Sequence, residues 1–451
     1  MWDSVFKIYF ILILSLGLTD IICGKKGKKV VPAKDEVKGW DKVAKVALPN
    51  IVQSGLKRTD EIIKLEGYEA YSYIVKVSAG REPIKLENST IDSFYIEIFR
   101  LRHPAKKEMK NMPVVLLMHA CTGSSSDFVF GGKEESLGFH LADAGYDVWL
   151  GNFRGNIYGG LNQYRNDTEF WDFSFDEHGL FDLPAQIDYI LKKTKQPKLY
   201  YIGFSMGATA AYALLSSKTE YNEKIERMVL LSPVVYLNIS DITFPPEVTK
   251  FFHSLSNKVA HETEVHDFFY WKGPLMGFDN PKCSTEEFKS FCALGMKSLS
   301  SDHKSLLNSE LRNKFYSVAP IGSSYKTLSH YSNIAKWAKF KPFEYDCNKN
   351  QRVYGTANVK EYSLEKVNVP TLLLVGQNDK MFSNREYLES LKSKLEGPSY
   401  NMREIPFVKT KYITNKHFMH ADMLLAKNLK KLVFKHVLTY LQNPDSIVSD
   451  P

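Results

Sequence analysis

Two hydrophobic rhythms divide the chain. At 71–77 and 94–101 apolar and polar residues alternate, the pattern of strands with one solvated face, and the two are read as an antiparallel pair at a sheet edge. From 113 onward the rhythm changes to short continuous apolar runs at 113–118, 147–150, 199–202, 227–231 and 370–375. Stretches with helical spacing, at 137–144, 183–194 and 208–217, lie between them. Strands apolar on both faces and alternating with helices predict a mostly parallel central sheet covered by helices on both sides. Between 235 and 366 that alternation stops. The segment is aromatic-rich (Phe251, Phe252, Phe268, Phe269, Tyr270, Trp271, Trp337) and helical in composition, and is read as a mainly helical cap inserted between two strands.

A chain of 451 residues, 44% hydrophobic and 24% charged, can bury a large core. It divides into a signal peptide (1–24), a polar lead segment (25–58), a core in two parts (59–234 and 367–445), the cap (235–366) and a tail (446–451). The apolar stretch at 5–23, followed by Lys25, Lys26, Lys28 and Lys29, is read as a secretory signal; an uncleaved signal anchor is the competing reading. No other apolar run reaches the roughly 18 residues a membrane span needs, so no stable span is expected once the signal is removed. Secretion, or delivery to lysosomes as the alternative, agrees with glycosylation acceptors at Asn88, Asn166 and Asn238. Of the five cysteines, Cys23 leaves with the signal, and Cys283 and Cys292 are near enough in sequence to close a small disulfide loop. Cys121 and Cys347 then remain thiols. The formal charge of +8 is spread along the chain without a basic-aromatic module, which argues against a nucleic-acid partner.

The chemistry centres on one pentapeptide. Gly203, Phe204, Ser205, Met206 and Gly207 spell Gly-x-Ser-x-Gly between the run at 199–202 and the helical stretch from 208. Strand, serine between two glycines, helix is the order of a nucleophile elbow. Such a serine needs an acid after a later strand and a histidine after the last one. Asp379 follows the run at 371–375; its alternative is a turn residue that satisfies local amides. His103, His119, His140 and His178 precede Ser205 and are excluded as the base, and His436 falls within the helical pattern at 430–441. His417 and His420 both lie in a suitable loop. His420 is favoured because it stands at a helix entrance with Asp422 in the first turn, while His417 remains the alternative. In this arrangement His420 takes the proton of Ser205, Asp379 orients the imidazole, and the backbone N–H groups of Met206 and Cys121 receive the oxyanion. His119 is read as a hydrogen-bonded core histidine. No cluster has metal-ligand spacing and no loop is shaped for phosphate, so neither a metal nor a cofactor is expected.

With these residues in place, the chain resembles the acid lipase family, the gastric and lysosomal acid lipases and their insect relatives, over residues 60–445. The resemblance rests on Leu-Ala-Asp-Ala-Gly-Tyr-Asp-Val-Trp-Leu-Gly-Asn-Phe-Arg-Gly-Asn at 141–156, Glu-Phe-Trp-Asp-Phe-Ser-Phe-Asp-Glu at 169–177 and Asp-Leu-Pro-Ala at 182–185. It extends to Pro-Ile-Gly-Ser-Ser at 320–324 and His-Ala-Asp at 420–422. The family's Gly-His-Ser-Gln-Gly is here Gly-Phe-Ser-Met-Gly, and its His-Gly-Leu loop is His119-Ala120-Cys121. The resemblance implies an α/β-hydrolase fold whose cap gates an apolar cleft, and a serine hydrolase acting on triacylglycerol or sterol esters at a lipid–water interface. The Cys283 to Cys292 separation is also that of the family's cap disulfide. Two other readings stay open: an esterase of short or unusual acyl groups, its pocket reshaped by Phe204 and Met206, and a lipid-binding relative without turnover.

Overall fold

The computed structural model describes residues 57–85, 90–106, 109, 111–160, 168–237, 267–268, 299–319, 321–380, 382–396 and 407–450. Eight strands form one central sheet: β1 (Glu69–Ser78), β2 (Ser93–Arg102), β3 (Val114–Met118), β4 (Asp147–Leu150), β5 (Leu199–Phe204), β6 (Ile225–Leu231), β7 (Thr371–Gly376) and β8 (Val408–Ile413). Their spatial order is β1-β2-β4-β3-β5-β6-β7-β8. The two alternating segments pair antiparallel along their whole length, from Glu69 opposite Arg102 to Ser78 opposite Ser93, and β1 lies at the sheet edge. β2 is antiparallel to β4, and every later pairing is parallel.

The period of two explains why the inner strands read as continuous apolar runs. Val114, Leu116 and Met118 of β3 enter one core, Val115 and Leu117 the other, so both faces demand apolar side chains. Helices α2 (Leu183–Thr194), α3 (Met206–Ser217) and α4 (Arg385–Glu396) cover the first face through Leu183, Ile187, Leu214, Leu388 and Leu391. On the opposite face α1 (Leu137–Asp143) and α5 (Lys435–Gln442) bring Leu137, Phe139, Val437 and Leu441. Each of these buried apolar side chains contributes about 2 kcal/mol by leaving water. This is the mostly parallel, helix-covered sheet expected from the rhythm of the chain, and the α/β-hydrolase architecture that the resemblance implies. The described part of the insertion is mainly helical, with helices Ser309–Tyr316, Tyr325–Trp337 and Cys347–Tyr354 and a two-residue pairing of Asp267–Phe268 with Ser323–Ser324.

The last strand, β8, is absent from the sequence reading because Lys409 and Lys411 interrupt its apolar run. Lys409 is nonetheless buried, its ammonium donating to the carbonyl oxygens of Pro444 and Ile447. The cysteine assignment is corrected. Cys347, expected as a thiol, is disulfide-bonded; the expected Cys283–Cys292 pairing falls on residues outside those described. Nearness in sequence does not decide which cysteines the fold brings together. Cys283, Cys292, the apolar N-terminal run and the acceptors Asn88, Asn166 and Asn238 lie outside the described residues. No helix among the described residues is long and apolar enough to cross a membrane.

Candidate active site

Ser205 occupies the turn between β5 and α3 with φ +52° and ψ −109°, a conformation that costs a non-glycine residue about 1–3 kcal/mol. Close packing on both sides holds it there. A Cβ on Gly203 would stand 2.7 Å from the Gly207 carbonyl carbon, and one on Gly207 would run into the backbone oxygen of Met118 on the neighbouring strand. The Ser205 N–H donates to the Leu231 carbonyl at 3.0 Å, so the turn is also tied to the strand on its other side. The flanking glycines are therefore fixed by the close approach of the helix start to β5 and of β3 to the helix, independent of any chemistry at the serine.

Ser205 Oγ lies 2.9 Å from His420 Nε2, and His420 Nδ1 lies 2.8 Å from Asp379 Oδ2. The carboxylate on the Nδ1 side sets the ring proton there, which leaves Nε2 free to accept from the serine hydroxyl. All three side chains are buried, Ser205 retaining 8% exposure, so the contacts between them are shielded from water. Asp379 sits just past β7, and its second oxygen accepts the Phe382 N–H at 3.3 Å. It thus satisfies a local amide as well as the imidazole. The rings of Phe204 and Phe382 approach the His420 ring with centroids 5.4 and 4.5 Å away. His417, the other loop candidate, points elsewhere and stacks on His303 at 4.0 Å.

The loop carrying Cys121 borders a cavity lined by Ala120, Cys121, Gly123, Phe204, Ala421 and Leu424, among others, which includes the chain neighbours of Ser205 and His420 but neither residue itself. Cys121 is a free thiol, and burial pushes it up to about 11, which makes its sulfur a poor nucleophile at neutral pH. Met206 is the first residue of α3, where helix N–H groups lack partners within the helix. His119 accepts the Phe153 N–H on Nε2 at 3.1 Å and meets the Ala120 carbonyl with Nδ1 at 2.7 Å; burial lowers it to about 4, so it stays neutral.

Two carboxyl groups near the site are prominent only in the structure. Asp127, beneath the Cys121 loop, accepts the N–H groups of Ala120 and Ser124 at 3.4 and 3.3 Å, and burial pushes it up to about 7. Asp422 stands, as expected, in the first turn of the short helix Asp422–Leu425. Its oxygens also accept the Met419 N–H at 2.8 Å and, at 3.1 Å, the N–H of Ser301 in the insertion; burial pushes it up to about 7 as well. The Ser-Ser-Ser-Asp run at 124–127 hints at the first, but nothing local in the sequence announces a partner as distant as Ser301.

A serine poised on an elbow, an imidazole and a carboxylate in one buried line on this sheet define a hydrolase-type site. The chain belongs to the α/β-hydrolase fold family, a model of which matches residues 113–407. It is 30% identical to Lipase 1 of Drosophila melanogaster over 397 residues, 87% of this chain and 81% of that protein. Lipase 3 of the same organism is 30% identical over 361 residues, covering 78% and 88% of the two chains. The gastric triacylglycerol lipase of Bos taurus is 29% identical over 369 residues, covering 78% and 86%. The chain is thus a hydrolase-fold enzyme related to gastric- and insect-type lipases at moderate identity, a relationship that does not single out the acid lipases as its subfamily.

Proposed function

We propose that this protein hydrolyses carboxylic esters of neutral lipids, triacylglycerol or sterol ester, through an acyl-enzyme on Ser205. The observation that carries the reading is the line of short contacts from Ser205 Oγ through His420 to Asp379. As the Ser205 oxygen attacks the ester carbonyl, its proton passes to His420 Nε2, and the ionised Asp379 stabilises the imidazolium. Charge developing on the carbonyl oxygen is met by the backbone N–H groups of Met206 and Cys121, which need no reorientation. His420 then gives its proton to the departing alcohol, and the Ser205 acyl ester remains. Water next loses a proton to His420, attacks that ester and releases the fatty acid, restoring the serine hydroxyl.

The names of the relatives, lipases including gastric triacylglycerol lipase, support a triacylglycerol-type lipid substrate. A second reading, an esterase of short acyl groups, is favoured by the two aromatic rings crowding His420. The secreted chain is tested with a fluorophosphonate ester that labels reactive serines, then with a long-chain triacylglycerol emulsion beside soluble tributyrin and butyrate esters. Labelling lost in Ser205→Ala, with turnover of the emulsion, is expected. No labelling of the wild type would turn the reading toward a lipid-binding relative, and turnover of soluble esters alone would select the esterase. Passage through the secretory route belongs to the same proposal, resting on the apolar run at 5–23, and N-terminal sequencing of exported protein tests it.

A further inference from the structure

The loop that carries His420 is bound to the insertion along much of its length. The Ala421 N–H donates to the Leu299 carbonyl at 2.8 Å, and the Lys427 N–H to the Leu306 carbonyl at 2.8 Å. An isolated antiparallel bridge joins Leu307 to Ala426. Asn415 donates from its side-chain amide to Ser305 Oγ at 3.0 Å, and His417 stacks on His303. At the centre of this seam Asp422, 1% exposed, accepts the Ser301 N–H and the Met419 N–H together. Arg312 closes it from the insertion side, donating to the Ser301 carbonyl at 2.7 Å and to Asp302 at 2.6 Å.

We infer that Asp422 is a positioning residue for His420, acting by clamping residues 299–307 of the insertion onto the histidine loop, so that the base is in register only while that segment is seated. Asp422 accepts an N–H from the residue immediately before His420 and one from the insertion with the same carboxylate, so displacement of either strand of the seam is transmitted to the imidazole. An error of about 1 Å in a reacting group can cost up to about 100-fold in rate, which is the scale on which such a clamp acts. The insertion then does more than cover the site; part of it belongs to the machinery that holds the base.

This rests on the reading of His420 as general base, and the experiment separates the two. In the protein with its insertion intact, the rate constant and the final extent of fluorophosphonate labelling are measured with kcat and KM on a butyrate ester, for wild type, Asp422→Asn, Asp422→Ala and Arg312→Met. Asp422→Asn, which keeps one acceptor oxygen, is expected to lower the labelling rate constant and kcat about 10-fold with KM unchanged, and Asp422→Ala about 100-fold. Arg312→Met, which loosens the seam without touching the histidine loop, should move the same constants in the same direction by a smaller factor. The labelled fraction should stay complete. Wild-type rate constants in all three variants, or a labelled fraction that falls with the rate constant of the remaining sites unchanged, would overturn the clamp, since loss of folded protein alone gives the second result. Persistent labelling in His420→Ala or Ser205→Ala would instead defeat the functional reading.

Discussion

The two halves of the candidate relay are held in contrasting ways. Ser205 is placed by its immediate neighbours: a strand, two glycines without room for a Cβ, and a helix that starts at the next residue. His420 is placed from elsewhere in the chain, by the carboxylate of Asp379 just past the neighbouring strand and by an insertion segment more than a hundred residues upstream. The candidate nucleophile is encoded locally and the candidate base by tertiary structure. Changes near Ser205 should therefore disturb folding and catalysis together, whereas changes around His420 can reduce catalysis while leaving the sheet intact.

The largest test of that contrast is Asp379→Asn, which preserves shape but removes the charge that fixes the imidazole tautomer; kcat on a soluble ester should fall by about 10⁴ with the thermal midpoint little changed. Gly207→Ala addresses the other half. Its new methyl meets the Met118 carbonyl, so denaturant unfolding should show a loss of about 1–3 kcal/mol, accompanied by lost activity.

The next effect is one of pH. Asp127 and Asp422 have carboxyls raised to about 7 by burial, so the folded state binds their protons more tightly than the unfolded chain. Stability should rise as pH falls from 8 to 6.5, by about 1 kcal/mol for each group. Below 6.5 buried neutral His119, lowered to about 4, opposes the trend because unfolding lets it take up a proton. Denaturant titrations at several pH values should show the rise flattened in Asp127→Asn. The smallest expected effect is that of His417→Ala, within about twofold of wild type in kcat, since its ring stacks only on the exposed His303 at the margin of the seam, while the hydrogen bonds of the seam remain.

How much was legible follows the same division. The inner strands declared themselves because both faces are buried, and the elbow because its glycines, serine and helix are contiguous. The strand at 408–413 stayed hidden, its burial depending on Lys409 finding two carbonyl acceptors near the C-terminus. The choice between His417 and His420 was open in the sequence, for loop position and a following helix cannot tell which ring faces Ser205. Asp422 was visible only as a helix-start acid, because its second partner, Ser301, comes from an element with no local link to it. Cys347 illustrates the same gap: its bonding depends on a meeting that spacing does not record.

The seam between 299–307 and the histidine loop bears on any attempt to exchange the insertion with that of a relative. Splicing at the sheet boundaries, near 235 and 366, would discard the native partner of the loop and graft a foreign one against Asp422. A chimaera that retains the stretch from Leu299 through Arg312 and replaces only what precedes it keeps the seam whole, and offers a route to altering substrate access without retuning the base.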